Sequence, residues 1–295
     1  MTIFEEIKQS YKKGSILNKL IYINVGIFLA LHIAVIFLVL SNQFDRNQSI
    51  SEILRFLAVP SDLSTLSRKP WTVITYMFTH GALYHIVFNL LILYWFGLFF
   101  IQEFGAKKIL GIYILGGLAG ALFFVGFYNI FPVFDEVVEI SIATGASASV
   151  MAIVIAVATL VPNRRMNIVL IGPVKVVYVA LFLFITSSIL DFTDNTGGKI
   201  AHIGGALVGL VYANYFRKGR DLTKGFDQFM DSMASMFKRR EKMKVTHKKP
   251  ADDIEYNKVK ASEQKEIDRI LDKISSGGYD SLSKAEKEKL FNMKK

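Results

Sequence analysis

Residues 80–101 read HGALYHIVFNLLILYWFGLFFI. From Leu83 onward the stretch is apolar and, at about 1.5 Å per residue, long enough to cross roughly 30 Å of hydrocarbon as a helix. Its opening nevertheless carries two imidazoles and a carboxamide, from His80, His85 and Asn89. His85 and Asn89 are four residues apart and share one helix face, with His80 near the helix entrance. Polar groups inside a membrane span are expensive, so this face is a candidate for function.

Outward from it, further apolar segments lie at 20–40, 108–129, 145–161, 173–190 and 200–216. Helix is the expectation for each, because a lone strand in lipid leaves its backbone polar groups unpaired. The fourth and sixth are short and rich in small residues. The sequence thus predicts an all-α, polytopic six-helix membrane bundle over residues 20–216. Residues 1–19 precede it and a small helical tail, 217–295, follows. A hydrophobic content of 52% agrees with this class, as does a mean hydropathy of +0.37. The run Ile21 to Leu40 is longer than a signal-peptide core and has no small-x-small site after it, so it is read as the first span. Cysteine is absent, which excludes a disulfide framework, a thiol nucleophile and Cys-based metal sites. Neither a metal nor a cofactor is expected.

The net charge of +10 is concentrated in particular loops and in the tail. Lys12, Lys13 and Lys19 precede the first span, Lys107 and Lys108 separate the second and third, and Arg164 and Arg165 the fourth and fifth. Arg217, Lys218 and Arg220 follow the sixth. All fall on one face of a six-span protein, which predicts both termini in the cytoplasm of a bacterial inner membrane. No nucleic-acid motif accompanies the charge. The opposite face carries the loop 41–79, too long and too apolar from Ile53 to Pro60 for a plain linker, and read as a partly buried loop at the membrane surface. In the tail, Phe226, Phe229, Met230, Met233 and Phe237 recur at helical spacing. A polar linker is expected around 243–262, then a short helix marked by Ile267, Ile270, Leu271 and Ile274 and broken at Gly277-Gly278. Ser283-x-x-Glu286 reads as a capping box for a last helix ending near Phe291.

Polar residues recur in two other spans. The fourth opens Thr144-Gly145-Ala146-Ser147-Ala148-Ser149, and the sixth carries Ala201-His202-Ile203-Gly204-Gly205. Ala201, Gly205 and Gly209 form one small-residue stripe and Ala148, Ala152 and Ala156 another, so the two helices can approach closely. His202, beside its stripe, then projects along the contact toward Ser147. A serine hydroxyl becomes a good nucleophile once a base takes its proton, and neutral imidazole suits that task. His85 and Asn89, with the Ser147 N–H at a helix start, can supply donors to an oxyanion. Ser149 points about 200° away from Ser147 around the helix and is read as packing. His32, alone in the first span, is read as a satisfied buried histidine.

The set His80-x4-His85-x3-Asn89, Gly145-x-Ser147 and Ala201-His202-x-Gly204-Gly205, in that order on spans two, four and six, resembles the rhomboid intramembrane serine proteases over roughly residues 60–216. The resemblance implies that Ser147 is the nucleophile and His202 the general base, without an acidic third member, so Asp191 and Asp194 are not needed. It implies that His85 and Asn89 line the oxyanion site beside Gly145 and that His80 orders the loop above it. Transmembrane proteins are the implied substrates and the lipid bilayer the setting; no oligomeric state is implied. The chain departs from the family pattern at Ala148, where glycine is usual, at Met151, where some members have tyrosine, and at Trp71-Thr72, where Trp-Arg is frequent. Two other readings stand beside the protease: a catalytically silent relative that binds membrane clients, and a small transporter, for which no paired half-repeats are visible.

Overall fold

The structure, a computed structural model, describes residues 14–41, 46–168, 171–190, 195–237 and 253–292. Lys12, Lys13, Asp191, Asp194 and the first half (243–252) of the linker read at 243–262 lie outside them. The chain divides into two compact units, Met1–Phe237 and Lys238–Lys295.

In the first unit, α1 (Ile16–Leu40) begins where the Ser15 hydroxyl accepts the Asn18 N–H at 3.3 Å. The first loop folds into α2 (Arg46–Leu57), a two-residue strand β1 (Val59–Pro60), α3 (Leu63–Arg68) and the single turn α4 (Thr72–Thr75). Then come α5 (Leu83–Phe104), α6 (Lys108–Ile130), the short strand β2 (Ile142–Ala143) and α7 (Ser147–Leu160). A hairpin of β3 (Arg165–Ile168) and β4 (Gly172–Lys175) leads to α8 (Val176–Ser188), α9 (Thr196–Arg217) and α10 (Lys224–Phe237). Each apolar segment read from the sequence is therefore a helix. Three of them, α1, α5 and α6, are by length and composition able to cross a membrane. The helices α7 and α8 are apolar but shorter.

Two boundaries differ from the sequence reading. The fifth helix starts at Val176 because residues 172–175 pair with 165–168 as an antiparallel hairpin. With the β1–β2 pair, this adds two short sheets to a fold expected to be all-α. The sixth helix starts at Thr196 and so contains Gly197, Gly198 and Lys199, which the apolar pattern had left outside.

α7 is the axis of the packing: α9, α6, α5 and α8 all lie against it, and Ala148, Ala152 and Ala156 are buried. The two small-residue stripes do face each other. A Cβ placed on Gly205 or Gly209 would run into the carbonyl oxygen of Ala148 or Ala152. On the other side of α7, a Cβ on Gly120 would lie 2.5 Å from the Ala148 methyl. Ala148, in place of the glycine usual in the family, thus fits because its neighbours on α6 and α9 are glycines. At one end of these helices Arg164 binds Glu103 and Gln102, Arg217 binds the Thr159 carbonyl, and Lys108 pairs with Asp221 at 3.0 Å. Several of the basic loop residues therefore meet at one end, as their sequence positions required.

At the other end the first loop is tied down by short polar contacts. The Ser61 hydroxyl donates to the Val138 carbonyl at 2.6 Å, and Asn129 Nδ2 donates to the Ser61 carbonyl at 2.8 Å. Trp71 Nε1 donates to the Phe56 carbonyl at 3.0 Å. Thr72 stands where the family often has arginine; it is buried and donates to the Lys69 carbonyl at 2.7 Å. Position 72 thus contributes a hydroxyl contact where the family often has a guanidinium.

The second unit holds α11 (Asp253–Gly277) and α12 (Lys284–Asn292). α11 starts well before the short helix expected from Ile267. Residues 253–266 have too few apolar positions for a periodic signal, but Glu, Lys, Ala and Gln sustain a helix by propensity. The helix ends as read, with Gly278 at φ 74°. The capping box forms in full: Glu286 accepts the Ser283 N–H at 2.7 Å and its own N–H reaches the Ser283 hydroxyl at 3.4 Å. The Ser283 backbone and hydroxyl, with Lys273, hold the Glu286 carboxyl down to about 2. A carboxylate held below its ordinary range contributes its full stabilisation above that range and loses it as pH falls through the lowered value. The helical Cα shifts of residues 284–292 in the intact, micelle-bound protein should therefore survive at pH 5 and fade toward pH 2. Glu286→Ala should weaken them already at pH 7.

Candidate active site

Ser147 is the first residue of α7, and the loop before it is fixed from below. The Gly145 N–H donates to the Tyr76 carbonyl at 2.9 Å, and the Ala146 N–H to His80 Nε2 at 3.3 Å. Tyr76 is itself anchored, its hydroxyl donating to the Gly117 carbonyl at 2.5 Å. Gly145 has φ +108°, a conformation that side chains disfavour. A Cβ there would also lie 2.5 Å from His85 Cε1. Glycine is needed twice over. No side chain caps α7, so its first N–H groups are available as donors.

Ser147, His202, His85 and Asn89 line one cavity of about 390 Å³, with Met151 and Lys199 also on its wall. His202 is buried, and its Nδ1 lies 2.9 Å from the Ser187 carbonyl. A carbonyl can only accept, so Nδ1 carries the proton and Nε2 keeps its lone pair. His85 meets His80 edge-on at 5.1 Å between ring centres. Asn89 Nδ2 donates to the His85 carbonyl at 2.9 Å, which commits one of its two hydrogens.

Of the residues singled out in the sequence, His80 and Gly145 stand behind the cavity as supports, and the other four share it. Among the described residues no hydrogen bond joins Ser147 Oγ to the His202 ring. Resting sites often hold such pairs apart until substrate aligns them. Ser149 is fully buried with its hydroxyl 3.9 Å from Met77 Sδ, so it packs against the other side. His32 Nδ1 is 2.9 Å from the Phe28 carbonyl, satisfied within its own helix. The sequence reading missed two backbone carbonyls, those of Tyr76 and Ser187; carbonyls leave no signature in side-chain motifs.

The His80 support can be checked. His80→Phe keeps an aromatic ring but strands the buried Ala146 N–H, which costs about 1–3 kcal/mol. Thermal unfolding in detergent should register that loss.

A family model of the rhomboid domain matches residues 67–219, more than half of the chain. The chain belongs to the rhomboid family. It is similar to RHOMBOID-like protein 12, mitochondrial, of Arabidopsis thaliana, with 29% identity over 68% of this chain and 58% of that one. It is also similar to Rhomboid protease AarA of Providencia stuartii, with 28% identity over 61% of this chain and 68% of that one. A third similar protein, Inactive RHOMBOID-like protein 8 of Arabidopsis thaliana, has 29% identity over 48% of this chain and 36% of that one. The chain thus spans little more than half of the first and about a third of the last. A second model, a family of unknown function (DUF6576), matches residues 252–293 and so covers both helices of the second unit. This rhomboid is a membrane protein.

Proposed function

We propose that this rhomboid is an intramembrane serine endopeptidase that cleaves transmembrane proteins through a Ser147–His202 dyad. The observation that carries the reading is the convergence of Ser147, His202, His85 and Asn89 on one cavity, from three helices far apart in sequence. Ser147 Oγ attacks the scissile carbonyl while His202 Nε2 takes its proton, then returns it to the departing amine. An acyl ester on Ser147 remains, and water hydrolyses it by the same proton route in reverse. The Ser147 N–H, His85 and the second Asn89 hydrogen bind the tetrahedral oxyanion.

The six apolar helices are read as six spans, with both termini and the helical tail on the cytoplasmic side of a bacterial inner membrane, because the basic loops share one face. Substrate enters between α5 and α8, which make little contact with each other among the described residues. Tyr84 and Phe88 on one flank and Phe182 on the other are exposed there. A substrate helix that unwinds near small residues can pass this cleft into the cavity.

The test is cleavage of a generic transmembrane substrate in proteoliposomes. Wild type should cut it and Ser147→Ala should not; equal cleavage by both overturns the assignment. One relative is named as inactive, and no cleavage by either protein would favour a client-binding role.

A further inference from the structure

Lys199 lies on α9, three residues before His202 and on the same face of that helix. It is 8% exposed, on the wall of the cavity that holds the dyad. Its Nζ donates to the Leu190 carbonyl at 2.8 Å, and His202 Nδ1 donates to the Ser187 carbonyl at 2.9 Å. Two side chains of α9 thus grip one carbonyl in the last turn of α8, where carbonyls lack partners within the helix, and one two residues beyond it.

Along its length α8 also packs Val179, Leu183 and Phe184 against the core. Val176, Ala180 and Ser188 are its buried residues, whereas Leu181, Phe182 and Ile185 are exposed. The Ser187 carbonyl lies in the last turn of α8, beside buried Ser188, so its place depends on how this end of the helix is secured. If that carbonyl drifts, His202 loses the acceptor that fixes its proton on Nδ1, and the other tautomer presents an N–H where a base needs a lone pair. A wrong tautomer disables a serine protease even when every side chain is present.

We infer that Lys199 is a positioning residue: by holding the end of α8 through Leu190 it keeps the Ser187 carbonyl on His202 Nδ1, and so keeps His202 in the tautomer that can accept the Ser147 proton. The inference rests on the dyad reading; Lys199 and the Leu190 and Ser187 carbonyls are additional to the residues of the rhomboid motif.

The experiment has two independent readouts. Long-range ¹H–¹⁵N spectra of histidine-labelled protein, recorded in the Ser147→Ala background and assigned with His202→Ala, report the His202 tautomer without requiring activity. The expected result is a single Nδ1–H form that becomes a mixture in Lys199→Met and returns in Lys199→Arg. In the active protein, Lys199→Met should lower kcat by at least about tenfold, with KM nearly unchanged, and Lys199→Arg should recover most of it. A folded Lys199→Met with an unchanged tautomer and wild-type kcat overturns the inference. So does a His202 proton found on Nε2 while Lys199 is intact, whether or not the Lys199 variants fold. If wild type cleaves nothing, the protease reading falls while the tautomer result still stands.

Discussion

His202→Ala is expected to reduce kcat/KM for a reconstituted transmembrane substrate by about 10⁴- to 10⁶-fold, and Ser147→Ala by at least as much. The two losses should not add. Once the base is gone the hydroxyl is unactivated, and once the hydroxyl is gone the base has no proton to take, so the double variant should be no worse than Ser147→Ala. His85→Ala and Asn89→Ala should each cost about 10²-fold in kcat, the scale of losing one oxyanion donor. His202→Ala leaves the fold standing, since the ring makes one described hydrogen bond, to the Ser187 carbonyl. Single-turnover kinetics with circular dichroism on the same preparations would show the chemistry lost and the helices retained. Additive losses would mean that the two residues act separately.

Gly205→Val is expected to be the most damaging substitution away from the cavity. The added Cβ meets the Ala148 carbonyl oxygen, with the carbonyl carbon at 2.8 Å and Cα at 3.1 Å. These are backbone atoms of α7 and cannot swing aside, so α7 and α9 must separate. Overpacking costs about 1–3 kcal/mol where side chains give way, and this site should reach the upper end or exceed it. The damage falls at the level of the dyad, since Ala148 follows Ser147 and Gly205 lies one turn beyond His202. Misplacement of reacting groups by about 1 Å can cost on the order of 10²-fold in rate. Any Gly205→Val that still folds should therefore also be slow. Gly126→Ala is the control: nothing lies within 4 Å of the added methyl, and thermal stability and turnover should hold. Equal tolerance of both would mean that the helices are not in the close contact described.

The stripes on the fourth and sixth helices could be read because a spacing of four residues maps directly onto one face of a helix. Their contact brought Ser147 and His202 to one cavity, and the face shared by His85 and Asn89 followed from the same spacing. The starts of α8 and α9 were misplaced for a related reason: hydropathy reports what lies in an apolar setting, not where the backbone begins to coil. Gly197, Gly198 and Lys199 dilute the signal at the start of α9, and Val174 extends it into a strand. The N-terminal half of α11 was missed because a solvated helix needs no apolar period. The Ser187 and Tyr76 carbonyls escaped altogether, because any residue type could have supplied them.

The most direct test is labelling with a serine-reactive fluorophosphonate in membranes, with the modified residue mapped by mass spectrometry. One adduct is expected, on Ser147, absent from Ser147→Ala and strongly reduced in His202→Ala. Labelling that persists in Ser147→Ala, or a wild type that cleaves substrate while Ser147 stays unmodified, would contradict the dyad.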